Sequence, residues 1–539
     1  VRRKTLLIVW RKGMPNPMSG DDKNRSTNAA SQVNDLLARV LETSSAYPAR
    51  LALVYEDRET SYGALQVNSA RVANGFYSAG LAQGDRVVIL AKNSDHYVEL
   101  MLGALRAGII AVPVNWRLAG PELRLVLEDA DPMMIFHDTE FAAVLGRGVG
   151  GSSRTQCVSM SEQEGYVQWR DEQSDEVCGP EIDAEDCMLI HYTSGTTGLP
   201  KGVMISKRSL AQHRAMEDEL GDWYQWTNDE SFLLAAPLFH VAGSALLQGT
   251  LYRGATCVIQ ASFDVGEILS ILVERRITRL FAPPVVINWL IREIKVQGVV
   301  LSHLRLLVYG ASPISPVVLR EAMKILPNVG FMHNYGMTET GGTQVCMSPA
   351  EHDPLKTQQL ESCGRACPGV ELRIVDPESG VAVAIGAVGE VEIKSAMMMS
   401  GYWRKPQATS EVLCDGWYRT GDGGRLDTEG FLYIVDRIKD MIVTGGENVY
   451  PVEVENALYQ HEAVSVAAVF AVHDPDFGEA VTAAVQLKES FTATGDELRL
   501  FLRNKVAGYK IPRAIYIVDE LPLTPSGKVK KHELRSLYN

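Results

Sequence analysis

Short apolar runs alternate with helix-spaced stretches from 51 to 114, and again from 207 to 282. Residues 51–55, 86–91 and 109–114 read as strands, and 30–44, 61–79 and 95–106 as helices. Strand and helix in alternation predict a layered α/β architecture with largely parallel sheets. The rhythm continues as helix 207–219, strand 232–235, helix 243–251, strand 256–259, helix 264–275 and strand 279–282. Residues 148–186 are polar and start glycine-rich, and they read as a connector before strand 188–191. Beyond 360 the texture changes to short strands, such as 371–375 and 389–394, between Gly and Pro turns. From 440 an α+β pattern follows: strand 441–443, helix 451–459, strands 464–472 and 480–487, helix 496–506 and strand 514–518. The predicted fold class is therefore α/β. A large multi-subdomain N-terminal domain (29–436, two layered α/β subdomains plus a β-rich subdomain) precedes a small α+β C-terminal domain, 437–539.

At 539 residues the chain exceeds one hydrophobic core, and about three or four folding units are expected. The formal net charge is −14, with no block of five like charges, which argues against nucleic acid or an anionic membrane as main partner. The eight cysteines are scattered, with only Cys363 and Cys367 close, so free thiols and a cytoplasmic location are expected rather than a zinc set or disulfides. No apolar run reaches the roughly 18 residues of a membrane helix, and the longest, 101–114, is broken by Arg106. The start, basic and then briefly apolar, reads as a non-native extension over 1–28, with Met14 or Met18 as the native start and 14–30 disordered.

Residues 192–203 read Tyr-Thr-Ser-Gly-Thr-Thr-Gly-Leu-Pro-Lys-Gly-Val. Thr193, Ser194, Gly195, Thr196, Thr197 and Gly198 leave backbone N–H groups open to phosphate oxygens, and Lys201 adds a point charge. Alone, such a run reads equally as a surface loop. It is not a Walker motif, since Gly195 and Gly198 are three apart and Pro200 precedes the lysine. Gly310, Ala311 and Ser312 follow the apolar run 304–308, at the strand edge where ligands bind, although alone they make a turn. In 334–340, Tyr335 can stack on a base, Asn334 can bond its edge, Thr338 can bond phosphate and Glu339 can hold Mg²⁺; a polar helix cap is the other reading. Asp422 follows Thr-Gly after Trp417, which reads as exposed, and can accept from both ribose hydroxyls. Arg437 can reach the same ribose or be a surface charge. Residues 444–451 read as a glycine turn opening a helix, and Lys528, after Ser-Gly, reads alone as solvated.

The order Thr-Ser-Gly-Thr-Thr-Gly-x-Pro-Lys-Gly, with the later segments in this succession, resembles the acyl-CoA synthetases of the adenylate-forming superfamily. The resemblance implies a large domain that binds ATP and the acid, and a mobile C-terminal domain that swings about a hinge near 436–439, at Lys439. It assigns Lys528 to bridging the acid carboxylate and the α-phosphate. It assigns Thr193 and Glu339 to Mg²⁺; Gly310, Ala311, Ser312, Asn334, Gly336, Met337 and Ile434 to the nucleotide pocket; and Lys439, Gly445, Gly446 and Glu447 to a coenzyme A channel. The implied reaction turns acid and ATP into acyl-adenylate and pyrophosphate, and then thiol and adenylate into thioester and AMP.

Amino-acid-activating relatives carry an aspartate just after the strand near 232. Residues 232–249 hold no carboxylate, so an acid without an α-amine is expected. By resemblance His240 sits at the gate of the acid pocket; otherwise it is a core histidine. Val241, Ser244, Tyr309, Gly310, Gly336, Met337, Gly341 and Gly342 are expected to line a narrow apolar slot. The wording is similar to feruloyl-CoA synthetases and nearly as similar to medium- and long-chain fatty acid ligases. A hydroxycinnamate such as ferulate is favoured, with Tyr309 or Ser244 as anchors for a phenolic hydroxyl. Free coenzyme A is the expected thiol, since no carrier module follows 440. A carrier-protein ligase, a luciferase-like oxygenase and a non-catalytic binding protein are the other readings; Lys528 and Glu339 disfavour the last. The expected partners are the acid, ATP and CoA, with no nucleic acid and no integral membrane contact, in a monomer or homodimer.

Overall fold

The computed structural model describes residues 35–145, 155–160, 165–176, 179–194, 200–227, 229–437, 441–444, 447–474, 478–503, 505–524 and 529–539. Among these residues there are four sheets. One has seven strands, in the order Gly401–Tyr402, Pro200–Ser206, Cys187–Ser194, Ile110–Pro113, Arg86–Leu90, Met134–His137 and Gln156–Ser159. Its interior is parallel and apolar on both faces, as crossover connections require. Pro200–Ser206 turns back antiparallel on Cys187–Ser194. The second sheet has nine strands, with Leu51–Tyr55, Thr256–Ile259, Ser231–Leu234, Arg279–Phe281, Leu306–Gly310 and Gly330–Met337 running parallel. It too ends in an antiparallel hairpin, Gly330–Met337 against Gly342–Met347. These two hairpins carry two of the polar segments singled out above, those of Thr193 and of 334–340.

Local signals explain the helices between the strands. Asp95–Ala107 starts where Ser94 Oγ accepts from the Tyr97 N–H at 3.1 Å, and stops at Gly108, whose φ of 68° favours glycine. This helix buries Glu99, held by Arg170 at 2.8 Å, the Tyr166 hydroxyl at 2.8 Å and Asn68 at 2.6 Å. The segment 148–186 is therefore more than a connector. Gln156–Ser159 closes the first sheet and Tyr166–Asp171 is a helix. An edge strand with exposed residues and a six-residue helix leave little periodicity to read.

The third sheet is antiparallel, with Glu371–Val375, Gly389–Lys394, Trp417–Leu426, Leu413–Cys414 and Leu432–Arg437. Trp417 is buried there rather than exposed, because the Arg373 guanidinium lies 4.2 Å from its ring centre. The fourth sheet combines Ile442–Thr444, Glu447–Val449, Val464–Asp474, Gly478–Leu487 and Ala514–Ile517. Ile442–Thr444 and Glu447–Val449 pair antiparallel before helix Pro451–Leu458, while the glycines of the expected turn lie outside the described residues. Helix Lys531–Tyr538, which was not predicted, packs on Val464–Asp474. No helix among the described residues is long and apolar enough to cross a membrane, and the seven described cysteines are free. The expectations for 1–28 lie outside the described residues.

Arg170→Met leaves the Glu99 carboxylate buried without its cation. A loss of about 3–5 kcal/mol is expected, seen as a lower urea midpoint; an unchanged midpoint would contradict the pairing.

Candidate active site

A cavity of about 1550 Å³ opens at the carboxyl ends of the parallel strands. Its rim is built where the two edge hairpins meet. Gly330–Met337 runs into a 3-10 turn, Thr338–Thr340, closed by Gly341 at φ 74°. Thr340 pins the turn: its hydroxyl accepts from the Met337 N–H at 3.1 Å and lies 3.0 Å from the Met337 carbonyl. Gly336 is required, since a Cβ there would lie 1.9 Å from the Gly342 carbonyl oxygen. The turn projects Glu339 across to the first sheet. Its Oε1 accepts from Thr193 Oγ1 at 3.4 Å and from the Tyr402 hydroxyl at 3.2 Å. Lys201 sits opposite Thr193 in the hairpin register, with Nζ 4.9 Å from the Tyr402 ring centre. Burial and the Glu339 carboxylate push the Tyr402 phenol well above its usual value, so it remains a donor.

The second half of the rim is Tyr335 and Asp422. The Tyr335 hydroxyl donates to Asp422 Oδ2 at 2.7 Å, tying the second sheet to the third. Asp422 is 6% exposed and faces Arg437 in strand register, and Ile434 lines the same wall. Ala311 and Ser312 border the cavity, and Ala311 holds a φ of 67°. A left-handed alanine costs about 1–3 kcal/mol, and such strain gathers at ligand sites. The arrangement can neutralise a polyphosphate at the Glu339–Lys201 end and hold a diol at Asp422. A single carboxylate with a hydroxyl suits Mg²⁺, which keeps waters and substrate phosphates as its other ligands.

Residues 40–403 match the family model for AMP-binding enzymes, and 453–528 match that of the AMP-binding enzyme C-terminal domain. The chain belongs to the adenylate-forming, AMP-binding superfamily of acyl-CoA synthetases. It is 36% identical to the fatty acid–[acyl-carrier-protein] ligase ScoC of Streptomyces coeruleorubidus, over 91% of this chain and 94% of that one. It is 35% identical to a feruloyl-CoA synthase of an Amycolatopsis species, over 89% and 94%. Among solved structures, ATP-bound MatB from Rhodopseudomonas palustris superposes with a TM-score of 0.84 at 30% identity, over 94% of this chain and 99% of that one. The protein is thus an AMP-forming acid–thiol ligase by class.

Of the expected residues, this AMP-binding enzyme brings Thr193, Ala311, Ser312, Asn334, Tyr335, Gly336, Met337, Thr338, Glu339, Asp422 and Ile434 to one cavity, with His240, Val241 and Gly342. His240 is neither core nor fully exposed. It caps helix Val241–Tyr252, its Nδ1 accepting from the Ala242 N–H at 3.2 Å. Tyr309 and Ser244, the expected anchors, are not among the residues that line this cavity. Tyr309 points to the opposite face of its strand, stacked on His333 at 4.6 Å and bonded to His352 at 2.9 Å. Ser244 is buried against His191 Nε2 at 3.1 Å. Gly310 and Gly341 lie behind the cavity wall, against the Asn334 and Met397 carbonyls respectively. Gly195, Thr196, Thr197, Gly198, Lys439, Gly445, Gly446 and Lys528 fall outside the described residues, as do the side chains of Ser194, Arg437 and Glu447. Tyr402 was missed, because a two-residue strand carries no pattern. Glu217 was also missed: it lines the cavity from helix Lys207–Asp218, a carboxylate outside 232–249. Arg214 at 3.2 Å and Arg253 at 2.9 Å neutralise it, so it offers no counter-charge to an ammonium.

Burial holds His191, His333 and His352 down to about 4, and burial beside Arg214 holds His213 to about 3. Unfolded, each returns to about 6.5. The unfolded chain therefore binds more protons in between, and stability falls as pH drops from about 6.5 toward 4, by up to about 1.4 kcal/mol per pH unit for each histidine. Urea midpoints between pH 7.5 and 5 read this, and a flat profile would contradict it.

Proposed function

We propose that this ligase activates a carboxylic acid with ATP and passes the acyl group to coenzyme A, and that its acid is a hydroxycinnamate such as ferulate. The observation that carries the reading is the meeting of Thr193 and Glu339, itself bonded to Tyr402, with the Tyr335–Asp422 pair around one cavity. A carboxylate is a poor acyl donor because oxide leaves badly. Its attack on the α-phosphorus, with loss of pyrophosphate, replaces oxide by AMP. Negative charge then converges on one phosphorus, and fixed donors aimed there supply the main rate term, about 3–4 kcal/mol for each donor removed. Lys201 and Thr338 would provide such donors, and Lys528 would join them by family resemblance. Thr193 and Glu339 would hold Mg²⁺, which supplies charge neutralisation for the phosphates. Asp422 would accept from the ribose hydroxyls. His240, at the helix start, borders the acid.

Aromatic side chains among the cavity walls, Tyr224, Phe239 and Phe281, suit a planar acid. A second reading, a fatty acid passed to a carrier-protein thiol, is favoured by the 36% identity to ScoC. AMP release over ferulate, p-coumarate, benzoate, octanoate and palmitate separates the acids, and activity with free CoA alone separates the thiols. Strong preference for octanoate or palmitate would overturn the aryl assignment. Lys528→Ala is expected to abolish adenylate formation, read by ATP–pyrophosphate exchange, yet to convert supplied acyl-adenylate to thioester. Equal loss of both half-reactions would reject the role given to Lys528.

A further inference from the structure

We propose that His213 donates a hydrogen bond to a neutral oxygen at the far end of the acid, and so selects acids bearing an acceptor there over plain hydrocarbon tails. The inference rests on the ligase reading and names its substrate class. His213 lies on helix Lys207–Asp218 and is 5% exposed. Its Nδ1 meets the Arg214 guanidinium, which can only donate, and stands 3.6 Å from Glu217 Oε1, beyond hydrogen-bond reach. Nδ1 therefore accepts, and the neutral ring carries its proton on Nε2. That Nε2–H has no partner among the described residues. It stands at the cavity wall behind Gly342, where a Cβ would come within 3.1 Å of it. Gly342, at a φ of 115° that favours glycine, has no Cβ to crowd that buried nitrogen.

The surroundings leave no other ready partner. Met216, Leu220, Ala242 and Leu246 make the neighbouring wall apolar. The Tyr224 hydroxyl is turned to Glu217, at 3.5 Å. Glu217 is itself shared between Arg214 and Arg253, and Arg253 also reaches Asp218 at 2.8 Å. Two cations and two carboxylates cancel, and a neutral donor remains beside an apolar wall. A buried donor left unmade is costly, and a ligand oxygen that meets it recovers that cost. A phenol, ether, carbonyl or hydroxyl oxygen has the right chemistry. A methyl group of the same size does not.

The test compares kcat/KM for AMP release with matched acids: 4-hydroxycinnamate against 4-methylcinnamate, 4-methoxycinnamate against 4-ethylcinnamate, and ω-methoxy against alkyl chains of equal length. The native enzyme is expected to prefer the oxygen-bearing member of at least one pair by about tenfold or more. In His213→Leu that ratio falls to within about twofold, whatever the absolute rate, and His213→Gln, which keeps a donor, restores part of it. Ratios near one in the native enzyme overturn the proposal without any variant having to fold. So does a His213→Leu enzyme that slows both members of a pair equally. AMP release without discrimination removes this inference alone, whereas no AMP release with any acid removes the ligase reading beneath it.

Discussion

One carboxylate joins two sheets that otherwise have separate strand orders. Glu339 comes from the turn of a hairpin near one end of the nine-stranded sheet and accepts from Thr193, 146 residues earlier, on a hairpin near one end of the seven-stranded sheet. Tyr402 completes the contact from a two-residue strand laid against Pro200–Ser206. Thr193 and Glu339 stand on hairpins, and hairpin register is all or nothing, since a slip of one residue turns every side chain to the other face. Gly336 and the Thr340 hydroxyl keep the register that aims Glu339. The parallel interiors supply the rigidity, and the antiparallel edges supply the chemistry.

Around that contact the protein keeps its ionisable groups either paired or neutral. Glu217 and Glu99 are buried with arginines. His191, His213 and His333 are held uncharged by burial. A site that must receive several phosphate charges gains from walls whose own charges are already balanced, because uncompensated charge in a low dielectric is costly. The strained Ala311, at the end of a central parallel strand, is held against the cavity by the sheet behind it.

Strands with apolar runs, such as 51–55 and 256–259, and short strands set off by Gly and Pro turns, 371–375 and 389–394, were legible and coincide with the observed elements. Parallel central strands are apolar on both faces, which marks their position but hides which way a side chain points. Tyr309 shows the consequence: the strand expected over 304–308 runs Leu306–Gly310 and includes it, and its ring packs against His333 and His352. Glycine-rich and hydroxyl-rich segments announced the ligand edge because few other uses need such residues in that order. Tyr402 and the helix Tyr166–Asp171 were illegible because their partners, Glu339 and Glu99, are remote in sequence. Glu217 was overlooked for a similar reason, as one acidic residue in a charged helix whose burial only the fold reveals.

The central claim is that this cavity exposes the α-phosphorus of ATP to a carboxylate oxygen. Supplying an acid labelled with oxygen-18 in its carboxyl group and analysing the nucleotide product by mass spectrometry tests this directly. The account predicts AMP carrying one labelled oxygen, with pyrophosphate as the other product. Release of ADP, or of AMP without label, would contradict it.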